Sequence, residues 1–224
     1  LKNKNILKLN KKELIFYTIK TALSLNKVSR VVVSTDSDKI SRIAKKYGAE
    51  VPFIRPKIYA QDNSKDLDVF LHYLFWLKKN VQEIPEYIIH LRPTCPFREV
   101  RICNKAISLI QKNKKISSLR SMRKSIFSPY KMWKIKKKKA VPVISKNNGK
   151  HSTGRQSLPP TYDHIAYIDI IKTELTLKKK CITGNNVKPF FLKETDLKYF
   201  VDIDNINDWK LAKKIAIANT NKQK

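Results

Sequence analysis

The sequence is poor in glycine, cysteine and acidic residues. Its 224 residues include 4 glycines, 3 cysteines and 18 Asp and Glu, against 48 Lys and Arg. Cys95, Cys103 and Cys181 match no metal-binding spacing and are odd in number, which favours free thiols in a reducing cytoplasm. No apolar run approaches the roughly 20 residues that a membrane span needs, and the first residues show no signal-peptide pattern.

Histidine is also scarce, with 4 in the chain. His72, His90, His151 and His164 show no spacing typical of metal ligands, and His72 falls in an apolar helical pattern that predicts a place in the core. No Ser-His-Asp or Cys-His arrangement indicates nucleophilic catalysis.

The formal net charge of +30 suggests nucleic-acid binding, but composition offers a simpler explanation. The basic residues are mostly lysines, spread along the whole chain beside many Asn and Ile, as a bias in coding composition would produce. The dense block KIKKKK at residues 134–139 is predicted to be a solvated hairpin or loop. The positive electrostatic field of so many lysines would also attract phosphate-bearing small molecules.

Short apolar runs alternate with helical apolar spacing through residue 122. Helices are predicted over residues 13–26, 37–48, 67–80 and 99–113, and strands over residues 28–35, 49–54, 86–92 and 115–122. This alternation predicts one α/β domain of βαβ units around a mostly parallel sheet. Asp36 or Ser37 is expected to cap the second helix, and Gly48 to end it.

The composition of the sequence changes after Met122. Residues 123–165 are rich in Pro, Lys, Ser and aromatic residues without a helical period, which predicts an antiparallel arm inserted in the single domain 1–224. Strands are predicted again over residues 165–171, 187–192 and 197–203, and a last helix over residues 208–219.

Polar segments follow the ends of the predicted strands. They are VSTDSD, FIRPKIYAQDNS, HLRPTCPFR and VDIDN. Because ligands of open α/β sheets bind at the carboxyl ends of the strands, these segments predict an active site on one rim of the sheet.

Asp202 and Asp204 stand at the end of an apolar run. Alternate residues of a strand share one face, with Cα atoms about 6.5–7 Å apart, so the two carboxylates would repel each other. A cation between them would relieve this, and Mg²⁺ is the hypothesis because it takes one or two carboxylates together with substrate phosphates. The alternative is an edge carboxylate at 202 and an N-cap at 204 for the last helix.

The loop RPTCPFR supplies candidate anion-binding groups. Arg92 and Arg98 carry forks that fit phosphate or carboxylate bidentately, and Thr94 can donate a hydroxyl. The alternative is a proline-rich turn with arginines in solvent.

A second loop carries Arg55 and the segment QDNS, which includes Asp62 and Ser64. It offers one cation and several short polar side chains. Ser64 is also a candidate N-cap for the helix that follows, and the two roles are compatible because helix N-termini bind anions.

Five segments occur in an order that resembles a known family. They are KNILKLNKKELIFYTI, YGAEVPFIRPKIYAQDNS, LRPTCPFR, RQSLPPTY and YFVDID. Over nearly the whole chain they resemble the acylneuraminate cytidylyltransferases, the CMP-sialic acid synthetases. SPYKMW, RQSLPPTY and YIDII look most like bacterial members that handle legionaminic or related nonulosonic acids.

The resemblance implies a Rossmann-like nucleotidyltransferase fold with an antiparallel dimerisation arm. It implies that CTP and a nine-carbon α-keto acid sugar are joined with Mg²⁺ as cofactor, giving CMP-sugar and pyrophosphate. A homodimer is expected, and neither a membrane nor nucleic acid is an expected partner.

The resemblance also assigns roles by position. Asp202 and Asp204 match a metal-binding DxD motif and, with Lys4, are expected to be catalytic. Lys131, Arg155 and Gln156 match positions that hold the sugar acid, and Arg92 stands where many members have Gln. The full set expected to bind substrate is Asn5, Arg55, Asp62, Ser64, Arg92, Thr94, Arg98, Lys131, Arg155 and Gln156.

The sequence departs from the family pattern in two places. Members begin with a strand and an R-x-x-S-K type phosphate loop that runs into the K-N found here as Lys4-Asn5; because this sequence starts at Leu1, with no glycine before Gly48, we expect both to be missing. We therefore expect an exposed sheet edge, poor CTP binding and very low turnover. Ile165 and Ala166 replace a small polar residue and Gly, which bears on recognition of the sugar.

Three other interpretations remain open. The first is a sister enzyme for 3-deoxy-manno-octulosonate, and the loop RPTCPFR argues against it because that group usually has an acidic metal ligand there. A nucleic-acid-binding protein would cluster its basic residues on one face and bind with steep salt dependence. A folded but inactive remnant of the enzyme is the third.

Overall fold

The computed structural model describes residue 1 and residues 3–144 and 149–220. Its α-helices are α1 (Leu14–Leu23), α2 (Asp38–Lys46), α3 (Asp66–Asn80), α4 (Val100–Gln111), α5 (Thr173–Lys179) and α6 (Ile206–Thr220). The helices predicted from the sequence are confirmed, and α5 is additional. Among the described residues, no helix combines the length and the apolar character needed to cross a membrane.

A four-stranded sheet forms the centre of the protein, in the order β3-β7-β4-β8. Two further pairs, β1–β2 and β5–β6, form separate two-stranded sheets. The strands are β1 (Lys8–Leu9), β2 (Lys12–Glu13), β3 (Tyr87–His90), β4 (Ser118–Lys124), β5 (Trp133–Lys136), β6 (Lys139–Pro142), β7 (Tyr162–Lys172) and β8 (Val187–Phe191).

The α/β architecture is as predicted, but the directions of the strands need a correction. Strand β7 lies antiparallel to both β3 and β4, and only β8 is parallel to its neighbour β4. The described sheet is therefore mixed rather than mostly parallel. The reason is the arm: the chain leaves the sheet at the end of β4, reverses in the arm and returns beside β4 as β7.

Two predicted strands are present only as an extended pair. Residues 28–35 and 49–54 meet through isolated parallel bridges, Val32 with Glu50 and Thr35 with Ile54. The strand predicted over residues 197–203 is wrong: residues 194–199 form turns, and Ile203 N donates to the carbonyl of Thr94 at 2.9 Å. That bond holds the Asp202–Asp204 segment against the RPTCPFR loop.

A cleft of about 900 Å³ separates the extended pair from β3. The Thr173 N–H donates to the carbonyl of Glu86, so alternation along an antiparallel ladder turns the backbone groups of Ile89 away from β7 and toward the cleft. Its lining includes apolar side chains, such as those of Ile15, Ile19 and Ile107, and polar ones, such as those of Arg55 and Asp66.

The arm contains the lysine block as a hairpin. Strands β5 and β6 pair antiparallel, and Lys137 and Lys138 form the turn with φ of 49° and 62°. Residues 133–140 are all exposed. The prediction of a solvated hairpin or loop at residues 134–139 is confirmed.

Local capping follows the sequence at one helix and departs from it at another. Ser37 caps α2 by accepting a hydrogen bond from Ile40 N at 3.4 Å, and Gly48 follows that helix with φ of +89°. The prediction that Ser64 caps α3 is wrong, because Lys65 is the N-cap residue and its N–H donates to Asp68. The Ser64 hydroxyl instead accepts a bond from Gln61 N at 2.9 Å within the preceding loop.

Candidate active site at the rim of the sheet

Asp202 and Asp204 lie on the same side of an extended segment. Val201 and Ile203, which alternate with them, are buried in an apolar cluster with Trp209 of α6. The burial of these neighbours leaves both carboxylates on the opposite side. The alternative role of Asp204 as N-cap of α6 is not supported, since Asn205 Oδ1 accepts from Asn207 N at 2.8 Å and Asp208 N at 3.2 Å.

Lys4 and Asn5 reach the same segment from the start of the chain. Lys4 Nζ donates to the Ile203 carbonyl at 2.9 Å and to Asp204 Oδ1 at 3.1 Å. Asp204 is otherwise open, with 74% of its side chain exposed. The Oδ1 atoms of Asp202 and Asn5 are both buried without a hydrogen-bond partner among the described residues.

Such orphaned oxygens fit a hard cation. A buried carboxylate oxygen without a donor loses hydration without compensation, and Mg²⁺ takes one or two carboxylates and completes its shell with water and phosphate oxygens. Within the described ranges, no group of three or more His, Cys, Asp or Glu forms a complete metal site. The rim therefore suits a cation whose remaining ligands are water and the phosphate oxygens of a bound substrate.

Arg55 brings a cation to the cleft, which Asp36 and Asn5 also line. Its Nη2 lies 3.7 Å from Asp36 Oδ1, and its backbone N–H donates to the Thr35 carbonyl at 2.7 Å. The Nε atom is buried without a hydrogen-bond partner in the described part of the chain. Arg55 is thus held in place while some of its donors stay available.

Arg92 sits between two carboxylates. Its Nη2 lies 2.7 Å from Asp66 Oδ2 and its Nη1 lies 3.3 Å from Asp169 Oδ2. Asp66 and His90 also line the cleft. Burial, together with the charge of Arg92, lowers the pKa of His90 to about 4, so its ring is neutral at pH 7.

Asp169 is the buried centre of this cluster, with 1% of its side chain exposed. Arg120 Nη1 lies 2.8 Å from Oδ2, and His164 Nε2 lies 2.8 Å from Oδ1. Burial alone would raise the pKa of Asp169, but the hydrogen bond from His164 and the charges of Arg120 and Arg92 outweigh it and lower the pKa. The carboxylate is therefore ionised and fully partnered by protein groups.

A bulge in β7 makes the contact between His164 and Asp169. Arg120 pairs with Asp169 and Met122 pairs with His164, so residues 165–168 all lie opposite Ser121. The Ser121 hydroxyl lies 3.1 and 2.6 Å from the carbonyls of residues 165 and 168 and accepts from the N–H of residue 168. These bonds satisfy the backbone that the bulge removes from the ladder.

Arg98 is a structural residue, which corrects its assignment as a substrate ligand. Its guanidinium is bonded inside the protein, and 7% of the residue is exposed. It donates to the bulge carbonyls of Ala166 and Tyr167 and to the loop carbonyl of Arg92. Further partners are the Cys95 carbonyl and the Thr18 hydroxyl. A guanidinium so occupied has no fork left for phosphate.

The remaining predicted residues are spread over the surface. Thr94 uses its carbonyl to hold Ile203, and Asp62 is exposed in the loop before α3. Lys131 lies in the short 3₁₀ helix Pro129–Lys131, and Arg155 and Gln156 lie in another, Arg155–Ser157. These arm residues are not among the described residues that line the cleft.

Sequence reasoning missed Asp66, Arg120, His164 and Asp169 as site residues. The signal for Asp169 was present, because it is a charged residue inside the apolar run IAYIDII, and buried carboxylates need partners. The partners of Asp169, which are Arg92, Arg120 and His164, come from three separate parts of the chain and carry no local pattern.

A solved structure and a family model indicate the class of this protein. The structure resembles CMP:2-keto-3-deoxy-manno-octonic acid synthetase complexed with CTP, with a TM-score of 0.68 over 99% of this chain and 93% of that one, at 11% sequence identity. At that identity the likeness supports the fold alone. The family model described as Cytidylyltransferase matches residues 1–216, and the chain belongs to this family.

Curated relatives cover most of the chain. It is 32% identical over 213 residues to CMP-N,N'-diacetyllegionaminic acid synthase of Campylobacter jejuni, covering 94% of this chain and 86% of the relative. Post-translational flagellin modification protein B of Campylobacter coli is 30% identical over the same shares of the two chains. The CMP-N,N'-diacetyllegionaminic acid synthase of Legionella pneumophila is 27% identical over 98% of this chain and 91% of the relative.

Proposed function

We propose that this cytidylyltransferase joins CTP to a nonulosonic acid and releases pyrophosphate. The family and the relatives named as CMP-N,N'-diacetyllegionaminic acid synthases support the reaction and the substrate class. The observation that carries the proposal is the rim, where Lys4, Asp202 and Asp204 meet beside the cleft that Asn5 and Arg55 line.

In this reaction the anomeric hydroxyl of the sugar attacks the α-phosphate of CTP in line. A new oxygen–phosphorus bond forms, the bond to the bridging oxygen of the β-phosphate breaks, and pyrophosphate leaves with that oxygen. Catalysis of this kind depends on positioning and on neutralising phosphate charge. Arg55 and Lys4 supply positive charge at the rim, and the carboxamide of Asn5 contributes a hydrogen-bonding group next to it.

Asp202 and Asp204 would hold Mg²⁺ through the orphaned Oδ1 of Asp202 and the exposed carboxylate of Asp204. Bound there, the ion would supply charge neutralisation to the triphosphate and lower the pKa of the attacking hydroxyl. Lys4 holds one Asp204 oxygen at 3.1 Å, which keeps that carboxylate turned along the rim.

The arm supports a proposal of homodimerisation. Its described part exposes large apolar side chains, including Ile126 at 68%, Phe127 at 66% and Ile135 at 74%. Ile126 and Phe127 are neighbours in the sequence, and contiguous exposed apolar surface is typical of protein contacts. In a dimer, Lys131, Arg155 and Gln156 of one arm would be free to contact the sugar acid at the partner's cleft.

We also propose a cytoplasmic location. Cys95, Cys103 and Cys181 are all free thiols, as expected for a protein of a reducing compartment. The substrate CTP is an intracellular nucleotide, which fits the same compartment.

A pyrophosphate-release assay tests the function. The protein would be given CTP, Mg²⁺ and a panel of neuraminic, legionaminic and pseudaminic acids. We expect release with at least one acid, dependent on both CTP and Mg²⁺. Absence of release with every acid would refute the proposal.

A further inference from the structure

Arg92 and His164 are held side by side by one buried carboxylate. His164 Nε2 contacts Oδ1 of Asp169 at 2.8 Å, and Arg92 Nη1 contacts Oδ2 at 3.3 Å. Asp169 is 1% exposed, whereas 32% of the Arg92 side chain and 43% of the His164 side chain are exposed. The carboxylate is hidden, and the two basic side chains that it orients are open to a ligand.

The bulge in β7 brings His164 and Asp169 into contact. In a regular strand, residues 164 and 169 would have Cα atoms roughly 16 Å apart, too far for a direct contact. Residues 165–168 leave the regular ladder opposite Ser121, and Arg98 and Ser121 satisfy their backbone groups. Bulges next to functional sites commonly re-aim a side chain, and here the re-aimed side chain is His164.

The charges and donors of the cluster leave room for one more anion. Two carboxylates, Asp66 and Asp169, face two arginines, Arg92 and Arg120, and His164 is a third basic side chain. Arg92 has five N–H donors, of which Asp66 and Asp169 account for two. Nε2 of His164 donates to Asp169, and Nδ1 is the ring nitrogen left for an anion, to which it donates in the protonated form of the ring.

The cluster also borders the cleft. Asp66 contacts Arg92, and both Asp66 and the neighbouring His90 line the cleft wall. His90 is buried, and burial lowers its pKa, so it adds no charge there. An anion held by Arg92 and His164 would therefore lie at the side of the proposed substrate cleft.

We propose that Arg92 and His164, positioned by Asp169, bind the carboxylate of the acid sugar and set the preference for an acid over a neutral sugar. The inference rests on the proposed function, because the acid sugar is the second substrate of that reaction. His164 acts as a substrate-binding residue, and Asp169 acts as a positioning residue through it.

The test compares two substitutions on one strand. His164→Asn keeps a polar side chain that can bond to Asp169 but removes the imidazole. Asp163→Asn is the matched control, because Asp163 is its neighbour on β7 and pairs with Arg123 at 3.5 Å on the surface. Pyrophosphate release would be measured against sugar concentration at saturating CTP, and against CTP concentration at saturating sugar.

We expect His164→Asn to raise KM for the acid sugar by about 10-fold or more, as for loss of a hydrogen bond to a charged group, while KM for CTP stays within about 2-fold. Asp163→Asn should leave both constants near those of the wild type. Asp169→Asn, assayed well below its melting temperature, should raise KM for the sugar in the same direction, and Asp169→Glu should restore part of the loss.

The carboxylate itself is tested with the carboxamide of the same sugar. The wild type should prefer the acid to the amide, and His164→Asn should lose most of that preference. A larger rise in KM for CTP than for sugar would assign the cluster to phosphate and overturn the inference, as would an unchanged preference for the acid. If the wild type releases pyrophosphate in either case, the proposed function stands; a wild type inactive with every acid would refute both.

Discussion

Two acidic centres in this protein differ in where their partners come from. Asp169 is buried and bonded to Arg92, Arg120 and His164, all within the chain. Asp202, by contrast, has a buried Oδ1 without a partner among the described residues, and the nearby Asp204 is 74% exposed. A carboxylate with protein partners organises its surroundings, and a carboxylate without them is available to a ligand.

Because of this difference, we expect substitutions at Asp169 to affect stability and substitutions at Asp202 or Asp204 to affect catalysis. Removing the charge of Asp169 leaves a buried cation without its counter-charge, since Arg120 is 8% exposed. Among the described residues, removing the charge of Asp202 or Asp204 leaves no cation of comparable burial without a counter-charge. The first change should therefore damage folding, and the second should damage metal-dependent activity while the fold survives.

The largest effect is expected for Asp169→Asn. Breaking a buried ion pair by removing one partner costs about 3–5 kcal/mol, so we expect a loss of that order in the free energy of unfolding. Urea denaturation followed by circular dichroism measures it. A loss below about 1 kcal/mol would mean that Asp169 contributes no more to stability than an exposed carboxylate, which would contradict the difference between the two centres.

Asp202→Asn and Asp204→Asn should each reduce Mg²⁺-dependent pyrophosphate release by about 100-fold or more, as for loss of a group that organises transition-state charge. Their unfolding free energies should change by less than about 1 kcal/mol. Steady-state rates and urea denaturation on the same preparations check both statements. Full activity in both variants would show that neither carboxylate serves the reaction.

The stability difference between wild type and Asp169→Asn should depend on pH. The folded-state pKa of Asp169 is lowered, below an unfolded value near 3.9. Its contribution is therefore fully present above about pH 4 and is lost as the pH falls through the folded pKa. Denaturation curves from pH 7 to pH 3 should show the two proteins converging only at the acid end, and convergence already near pH 6 would contradict the assignment.

The smallest effect is expected for Asp163→Asn. Asp163 pairs with Arg123 at 3.5 Å, and both side chains are about 40% exposed. Exposed ion pairs contribute about 0–1 kcal/mol, so thermal melting should barely shift. A cost close to that of Asp169→Asn would mean that the position on β7, rather than burial and partners, controls the effect.

The same contrast explains what the sequence could reveal. Asp202 and Asp204 were predicted as a ligand-facing pair because alternation along an extended segment is a local property, even though that segment is not a ladder strand. Asp169 could not be recognised in this way. Its partners Arg92, Arg120 and His164 meet only after the arm turns β7 back against β4 and a bulge draws residues 164 and 169 together.

Arg98 shows the opposite case, in which a residue predicted from the sequence as an anion ligand has a structural role. Arg92 and Arg98 stand in one loop and looked equivalent as anion ligands, yet Arg98 is buried among backbone carbonyls while Arg92 remains 32% exposed. The carbonyls that hold Arg98 come from the β7 bulge, which has no local sequence pattern. Burial therefore decided the role of each arginine.

The most direct measurement is a crystal structure of the protein with CTP and Mg²⁺. We predict a metal ion about 2.1 Å from Asp202 Oδ1, shared with Asp204 and with phosphate oxygens of CTP, and no metal at Asp169. A rim without metal or triphosphate, or a metal bound at Asp169 instead, would contradict the account.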